Sequence, residues 1–281
     1  MRNVIAGLLF GVVIVSAGSA QAAPRLSSTV ADEVLQKSGM VLQLAQIEPS
    51  IQGGINLNPA LSAKVTEAQL AGVHTAIATA FATDKLVSDA KVQITETLAP
   101  DIAMQALVWL NSDLGRRISA LEDEAGKFEG FQEREAAAAE LFKRLPERRI
   151  DRYIQLAKAT QAGEGGATVA IDTTLATARG IASLVSDAPD KNLDAVKAQL
   201  DANRPQLVQS MEQEFTVLFA GAYATLDDKE IDQYIAFSES PAGAAYNTAL
   251  IKVMDAVMSH AAMDAGRLIA ASRANPPSSG T

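Results

Sequence analysis

TLAPDIAMQALVWLNSDLG, residues 97–115, falls over TLDDKEIDQYIAFSESPAG, residues 225–243, when the chain is shifted onto itself by 128 positions, 97 onto 225. Thr97, Leu98, Gln105, Ser112 and Gly115 recur as Thr225, Leu226, Gln233, Ser240 and Gly243, and Trp109 falls on Phe237. Each stretch has apolar residues at helical spacing, then a serine suited to accept amide hydrogen bonds at a helix start, then a glycine one turn on. Each therefore reads as a helix, a corner and a second helix. Ser112 and Gly115 build the first corner; Ser240, Pro241 and Gly243 build the second. Pro241 suits a first helical turn, and the glycines remove a side chain where two helices cross closely.

Outward from these corners the pattern stays helical. Alternating strand-like runs rich in Val, Thr and Tyr are absent, as are Asn-Gly and Asp-Gly hairpin turns. Spacing and punctuation predict helices over 28–38, 40–52, 58–82 from an Asn58-Pro59 start, 83–98 from a Thr83 cap, 100–109, and onward from Ser112. Further helices are expected over 131–144 and 146–162, split by Pro146, and over 167–185 after a GEGG turn at 163–166. Another, starting at Asn192, is expected to break before Pro205 and resume to Ala224. The last two run from Asp228 to Phe237 and from Ser240 to about Ala271. The fold class is thus all-α, as two repeated halves packed together: an N-terminal copy over 23–128, a connecting helix over 129–145 and a C-terminal copy over 146–271. Residues 272–281 read as a disordered tail.

Residues 4–15, VIAGLLFGVVIV, follow the single positive charge of Arg2 and precede the small residues SAGSAQAA. Twelve apolar residues are too few for a bilayer span, which takes about 20. The pattern is that of a cleavable signal peptide over 1–22, cut after Ala22 or Ala23, with an uncleaved anchor as the alternative. A periplasmic location, or secretion, is the expectation. The chain has no cysteine, so disulfides, thiolate chemistry and a lipidated cysteine drop out together. Its formal charge of −9 repels phosphate backbones and argues against nucleic acid as a partner.

FSESPAG, residues 237–243, is the most individual segment, and at these residues the chain resembles a known family. F-x-x-S-P-x-G after a short helix with an acidic lead-in is similar to the bacterial exported helical family called domain of unknown function 2059. The resemblance is good over 205–260 and weaker over 77–125. Phe237, Ser240, Pro241 and Gly243 match its corner, whereas Ser238 stands where a tyrosine is usual. The resemblance implies an all-helical fold and an envelope location, and no activity. Phe237, Ser238 and Glu239 are the candidate binding residues at this corner. Glu239-Ser240 also echoes the Glu-Ser pair of lytic transglycosylases, which protonate a glycosidic oxygen from an apolar pocket. The downstream element and aromatic platforms of those enzymes are missing from the sequence.

Other candidates are few. KRLPERRIDR, residues 143–152, is the one concentrated basic stretch. Arg148, Arg149 and Arg152 could meet an anionic envelope component or an acidic protein face, or form a solvated face paired with Glu147 and Asp151. His74 and His260 lack a second histidine at helical spacing and read as structural or solvated. Met254 and Met258 read as core rather than copper ligands. GEGG precedes a helix without the lysine of a phosphate loop. No catalytic residue, metal site or cofactor is assigned. The expected function is a non-catalytic binding or scaffold protein of the envelope, working through the groove between its copies. Its partner would be another envelope protein or an anionic envelope component, and it is a possible homo-oligomer. The alternatives are a hydrolase acting on cell wall or lipid through Asp and Glu, or a holdase chaperone with an exposed apolar concavity.

Overall fold

The structure, a computed structural model, describes residues 25–56, 66–127, 130–185 and 189–274. The expected signal peptide, the Asn58-Pro59 helix start and residues 275–281 of the expected tail lie outside the described residues. Twelve helices occur among the described residues, with no strand, so the fold is all-α. None of these helices is long and apolar enough to cross a membrane. They are α1 (Ser28–Lys37), α2 (Met40–Asn56), α3 (Glu67–Ala80), α4 (Thr83–Thr97), α5 (Pro100–Leu110) and α6 (Asp113–Ala125). α7 (Phe131–Phe142), α8 (Glu147–Ala159), α9 (Ala162–Val185), α10 (Pro189–Ala222), α11 (Asp228–Glu239) and α12 (Pro241–Ala274) follow.

Side-chain caps set five of the described helix starts, at Ser27, Thr66, Ser112, Asp227 and Ser240. The Ser27 hydroxyl accepts from the Val30 amide, and Thr66 and Asp227 each close a reciprocal capping box, with Gln69 and Glu230 respectively. α11 starts at Asp228 as expected, and Asp227 before it is the cap. Thr83 is already helical and caps nothing; Ala82 holds that position without a side-chain bond. The two corners have one geometry. The Gly115 amide donates to Ser112 Oγ over 2.9 Å, and the Gly243 amide to Ser240 Oγ over 3.0 Å. A Cβ on Gly115 would stand 2.1 Å from the Trp109 carbonyl oxygen, and one on Gly243 would stand 2.0 Å from that of Phe237.

Two expected helix breaks are absent. α9 starts at Ala162 and runs through Gly163, Gly165 and Gly166, and the chain turns instead at Thr160–Gln161. The glycines act as a packing seam for α10: a Cβ at Gly163 would meet Glu212 and the Val208 carbonyl, and one at Gly166 would meet Phe215 and Met211. Pro205 lies inside α10, and Pro49 inside α2, which continues to Asn56. An interior proline costs a helix about 3 kcal/mol. Packing on α9 flanks Pro205 on both sides: Arg204 donates to Glu164 and Thr168, and Val208 sits against Gly163.

Two apolar clusters form the interior. The larger joins Val34, Ile51, Ile77 and Ile94 of α1–α4 to Val253, Val257 and Ile269 of α12. Met254 and Met258 lie in it too, as core. The smaller gathers Ile118, Tyr153, Leu156, Tyr223 and Ile231 from α6, α8, the turn after α10, and α11, and Trp109 packs against both. The interior therefore does not divide at residues 129–145: the C-terminal helix completes the N-terminal core.

One polar group interrupts the seam between α9, α10 and α12. Asp172 is largely buried, and its Oδ2 takes no hydrogen bond. Burial first, and then the charge of Asp255, push its carboxyl from 3.8 up to about 7, against a smaller pull from Arg204 and Lys197. Between those values the folded chain binds more protons than the unfolded chain, so stability falls as pH rises from about 4 to 7 and is flat beyond. Asp172→Asn removes that loss. Discounted for the carboxyl's partial exposure, the gain is on the order of 1–2 kcal/mol at pH 8. The expected result is a melting temperature higher by several degrees at pH 8 and unchanged near pH 3.5. Equal shifts at both pH values would contradict this account.

Candidate functional site

α6 follows directly from the Ser112 corner, and its inner face carries Leu114, Ile118 and Glu122, each one turn from the last. The first two are apolar and pack in the smaller cluster. The third is an acid. Glu122 Oε1 accepts hydrogen bonds from the hydroxyls of Tyr223 (2.6 Å) and Tyr234 (2.9 Å), which α10 and α11 deliver from opposite sides of their turn. Among the described residues, Oε2 takes no hydrogen bond. Burial raises the carboxyl above the ordinary carboxylate range, Asp123 adds to the rise, and the two phenols offset only part of it. Burial, together with the Glu122 charge, keeps the hydroxyls of Tyr223, Tyr234 and Tyr246 protonated well above the usual phenol range.

The rings around this acid form a continuous chain. Phe219 tilts on Tyr223 at 5.2 Å between centroids, and Tyr223 meets Tyr234 edge-on at 6.0 Å. Trp109 lies between Tyr234 at 5.8 Å and Phe237 at 4.7 Å, the latter pair within 9° of parallel. Trp109 and Phe237, the two aromatics that the internal repeat aligns, are thus stacked face to face. Offset and edge contacts of this kind add about 0.5–1.5 kcal/mol each beyond burial.

This aromatic chain and Glu122 line a cleft of about 1040 Å³. Its other walls come from α2, α7, α9 and α10, with Ile47, Ala138, Val169 and Met211 among the apolar contributors. Exposed Gln43, Ser50 and Glu135 stand at its rim. An apolar concavity at the upper end of the small-molecule range, about 300–1,000 Å³, lined by a carboxyl and phenols of shifted acidity, is the physical form of a binding site. No protein-family model, curated protein or solved structure matches the chain.

Of the residues expected at a binding surface, Phe237 lies in this cleft and the rest do not. Ser238 is 1% exposed, and its hydroxyl has no partner, so it cannot face a ligand. Ser238→Ala removes an unsatisfied buried oxygen and is expected to leave the melting temperature unchanged or raise it, by up to about 1 kcal/mol in stability. A thermal melt lowered by several degrees would reveal a partner for that hydroxyl. Glu239 is exposed on the outer side of α11 and accepts from Gln155 Nε2 over 2.9 Å.

The basic stretch is taken up within the chain: Lys143 and Arg144 bond to Glu140, and Arg148, Arg149 and Arg152 meet carboxylates some 80 residues on rather than Glu147 and Asp151. Arg149, 14% exposed, donates to Asp228 Oδ1 over 2.7 Å, to the Tyr153 hydroxyl, and to the carbonyls of Tyr223 and Leu226. Arg152 pairs with Asp232 and Asp228. These side chains clasp α8 to α11 and to the turn before it. Arg148, 80% exposed, touches Asp228 from outside. His74 Nδ1 shares a hydrogen with Gln52 Oε1, and His260 with Asp89. Among the described residues no three His, Asp or Glu gather as metal ligands would.

Sequence reasoning missed Glu122, Tyr223, Tyr234 and Trp109 as a site. Glu122 sits in LEDEA, which reads as a solvated acidic run. Its place one turn beyond Ile118, on the apolar stripe, was the available signal.

Proposed function

We propose that this is a non-catalytic binding protein of the cell envelope, which takes up an apolar molecule in the cleft around Trp109 and Glu122. The observation that carries the reading is the cleft itself: about 1040 Å³, with mainly apolar walls and one buried acid. Supporting the envelope location are the leader-like residues 1–22 and the resemblance of residues 237–243 to an exported helical family. We also infer that the chain is a duplication whose copies share one core. In favour of this are the matching Ser112–Gly115 and Ser240–Gly243 corners and the stacking of Trp109 on Phe237. The α1–α2 and α8–α9 turns add to it, each passing through a left-handed residue, Gly39 and Gln161. On this reading the cleft lies between the first copy with its connecting helix and the second copy.

Trp109 is the chain's one tryptophan, so it reports on the cleft alone. Titrating the chain lacking residues 1–22 with N-phenyl-1-naphthylamine, a neutral apolar dye, is expected to quench Trp109 emission saturably at one equivalent. Ala170→Phe, which puts a ring into the cleft, should weaken that binding at least tenfold while leaving helix content unchanged. Emission that does not respond to the dye would end this proposal.

A further inference from the structure

We propose that the cleft's ligand is a cationic amphiphile, whose substituted ammonium head rests against Glu122 beside the rings of Tyr234 and Tyr246 and whose tail fills the apolar channel. This rests on the cleft-binding reading above and specifies its ligand. Three observations carry it. Glu122 has both phenol hydroxyls on Oε1, which leaves Oε2 for an incoming group. A buried carboxylate without a cation is costly, and a positively charged head returns the lost electrostatic stabilisation.

The second is the aromatic surround. The π-faces of aromatic rings attract a cation, more strongly where water is excluded. Tyr234 and Tyr246 line the cleft with Glu122, whereas Trp109, stacked between Tyr234 and Phe237, backs the site without offering a face. The third is charge. The lining carries Glu122, Asp123, Glu124 and Glu135 against Lys37 and Arg134, and Arg134 is engaged with the Lys127 carbonyl at the end of α6. An anionic head would therefore meet four carboxyls, with Lys37 as the one further cation among the described lining residues.

Competition against the bound dye decides the matter. Dodecyltrimethylammonium, dodecyl maltoside and dodecyl sulfate are added below their micelle concentrations to the chain lacking residues 1–22. The cation is expected to displace the dye at a concentration at least tenfold lower than the other two. Tetramethylammonium, a head without a tail, should compete at least a hundredfold more weakly than its dodecyl counterpart. Glu122→Gln keeps the shape and a hydrogen-bond acceptor but not the charge, and should abolish the tenfold preference among the three heads, whatever its own affinity for the dye. Glu67→Gln, which removes the same charge from the exposed start of α3, should keep the preference.

Equal displacement by the three heads, or preference for the sulfate, overturns the inference and leaves the cleft reading standing. So does tetramethylammonium matching the long-chain cation, or Glu122→Gln retaining the preference. No dye binding overturns both. If Glu122→Gln does not fold, the ratios measured on the unaltered chain decide alone.

Discussion

Gly243→Ala is expected to lower stability by at least about 3 kcal/mol, or about 6–12 °C in melting temperature for a chain of this length. The added methyl would stand 2.0 Å from the Phe237 carbonyl oxygen and 2.8 Å from its carbon. Both are backbone atoms, so no rotamer change relieves the contact. The Ser240 hydroxyl holds this corner tight by donating to the Phe237 carbonyl over 2.6 Å while accepting from the Gly243 amide. Relief would require opening the corner, which would move α12 off the core and Phe237 off Trp109. Gly54 supplies the contrast. It lies within α2 with nothing near its missing side chain, so Gly54→Ala should gain about 0.5–1 kcal/mol from helix propensity. Thermal melts followed by circular dichroism read both. A Gly243→Ala protein melting within about 2 °C of the original would refute the corner's role.

Arg149→Ala is the second large effect, expected to cost about 3 kcal/mol, whereas Arg148→Ala costs under about 0.5 kcal/mol. The two side chains are neighbours in sequence and share Asp228 as a partner. They differ in what their loss exposes. Arg149 satisfies two backbone carbonyls at the turn into α11, those of Tyr223 and Leu226, besides Asp228 and the Tyr153 hydroxyl. Its guanidinium also lies 5.2 Å from the centre of the Tyr153 ring. Removing it leaves the Leu226 carbonyl without a donor, strips one donor each from the Tyr223 carbonyl and Asp228, and loosens the turn that delivers Tyr223 and Tyr234 to Glu122. Arg149→Lys has one compact ammonium in place of the fork and should recover less than half of the loss. Denaturant melts of the three variants give the comparison. Equal losses for Arg148→Ala and Arg149→Ala would show that the clasp is a surface charge effect only.

What could be read from the sequence was what is decided within one turn of chain. A serine followed by a glycine three residues later makes a cap and a clearance whatever surrounds it, so both corners were legible. The GEGG stretch was misread because glycine has two uses. It breaks a helix in isolation, and it also lets a second helix come close; the deciding neighbours, Val208 and Met211, lie more than forty residues on. Pro205 was misread for the same reason, since the packing that flanks it is on α9. Arg149 and Arg152 were visible as a cluster, but their partners Asp228 and Asp232 belong to another helix. Glu122 was hidden by its companions Asp123 and Glu124, because an acid next to acids suggests solvent. Tyr223 and Tyr234, which make its burial tolerable, lie over a hundred residues away.

The position of α12 bears on how the molecule comes into being. The residues closing the core around Ile51 and Ile77 lie about two hundred positions further along the chain. Without them the early helices have an uncovered apolar face and nothing to bury it against. The larger core therefore joins ends of the chain that are far apart in sequence, and it can close only when α12 docks on the first helices, which makes its formation a slow, long-range event.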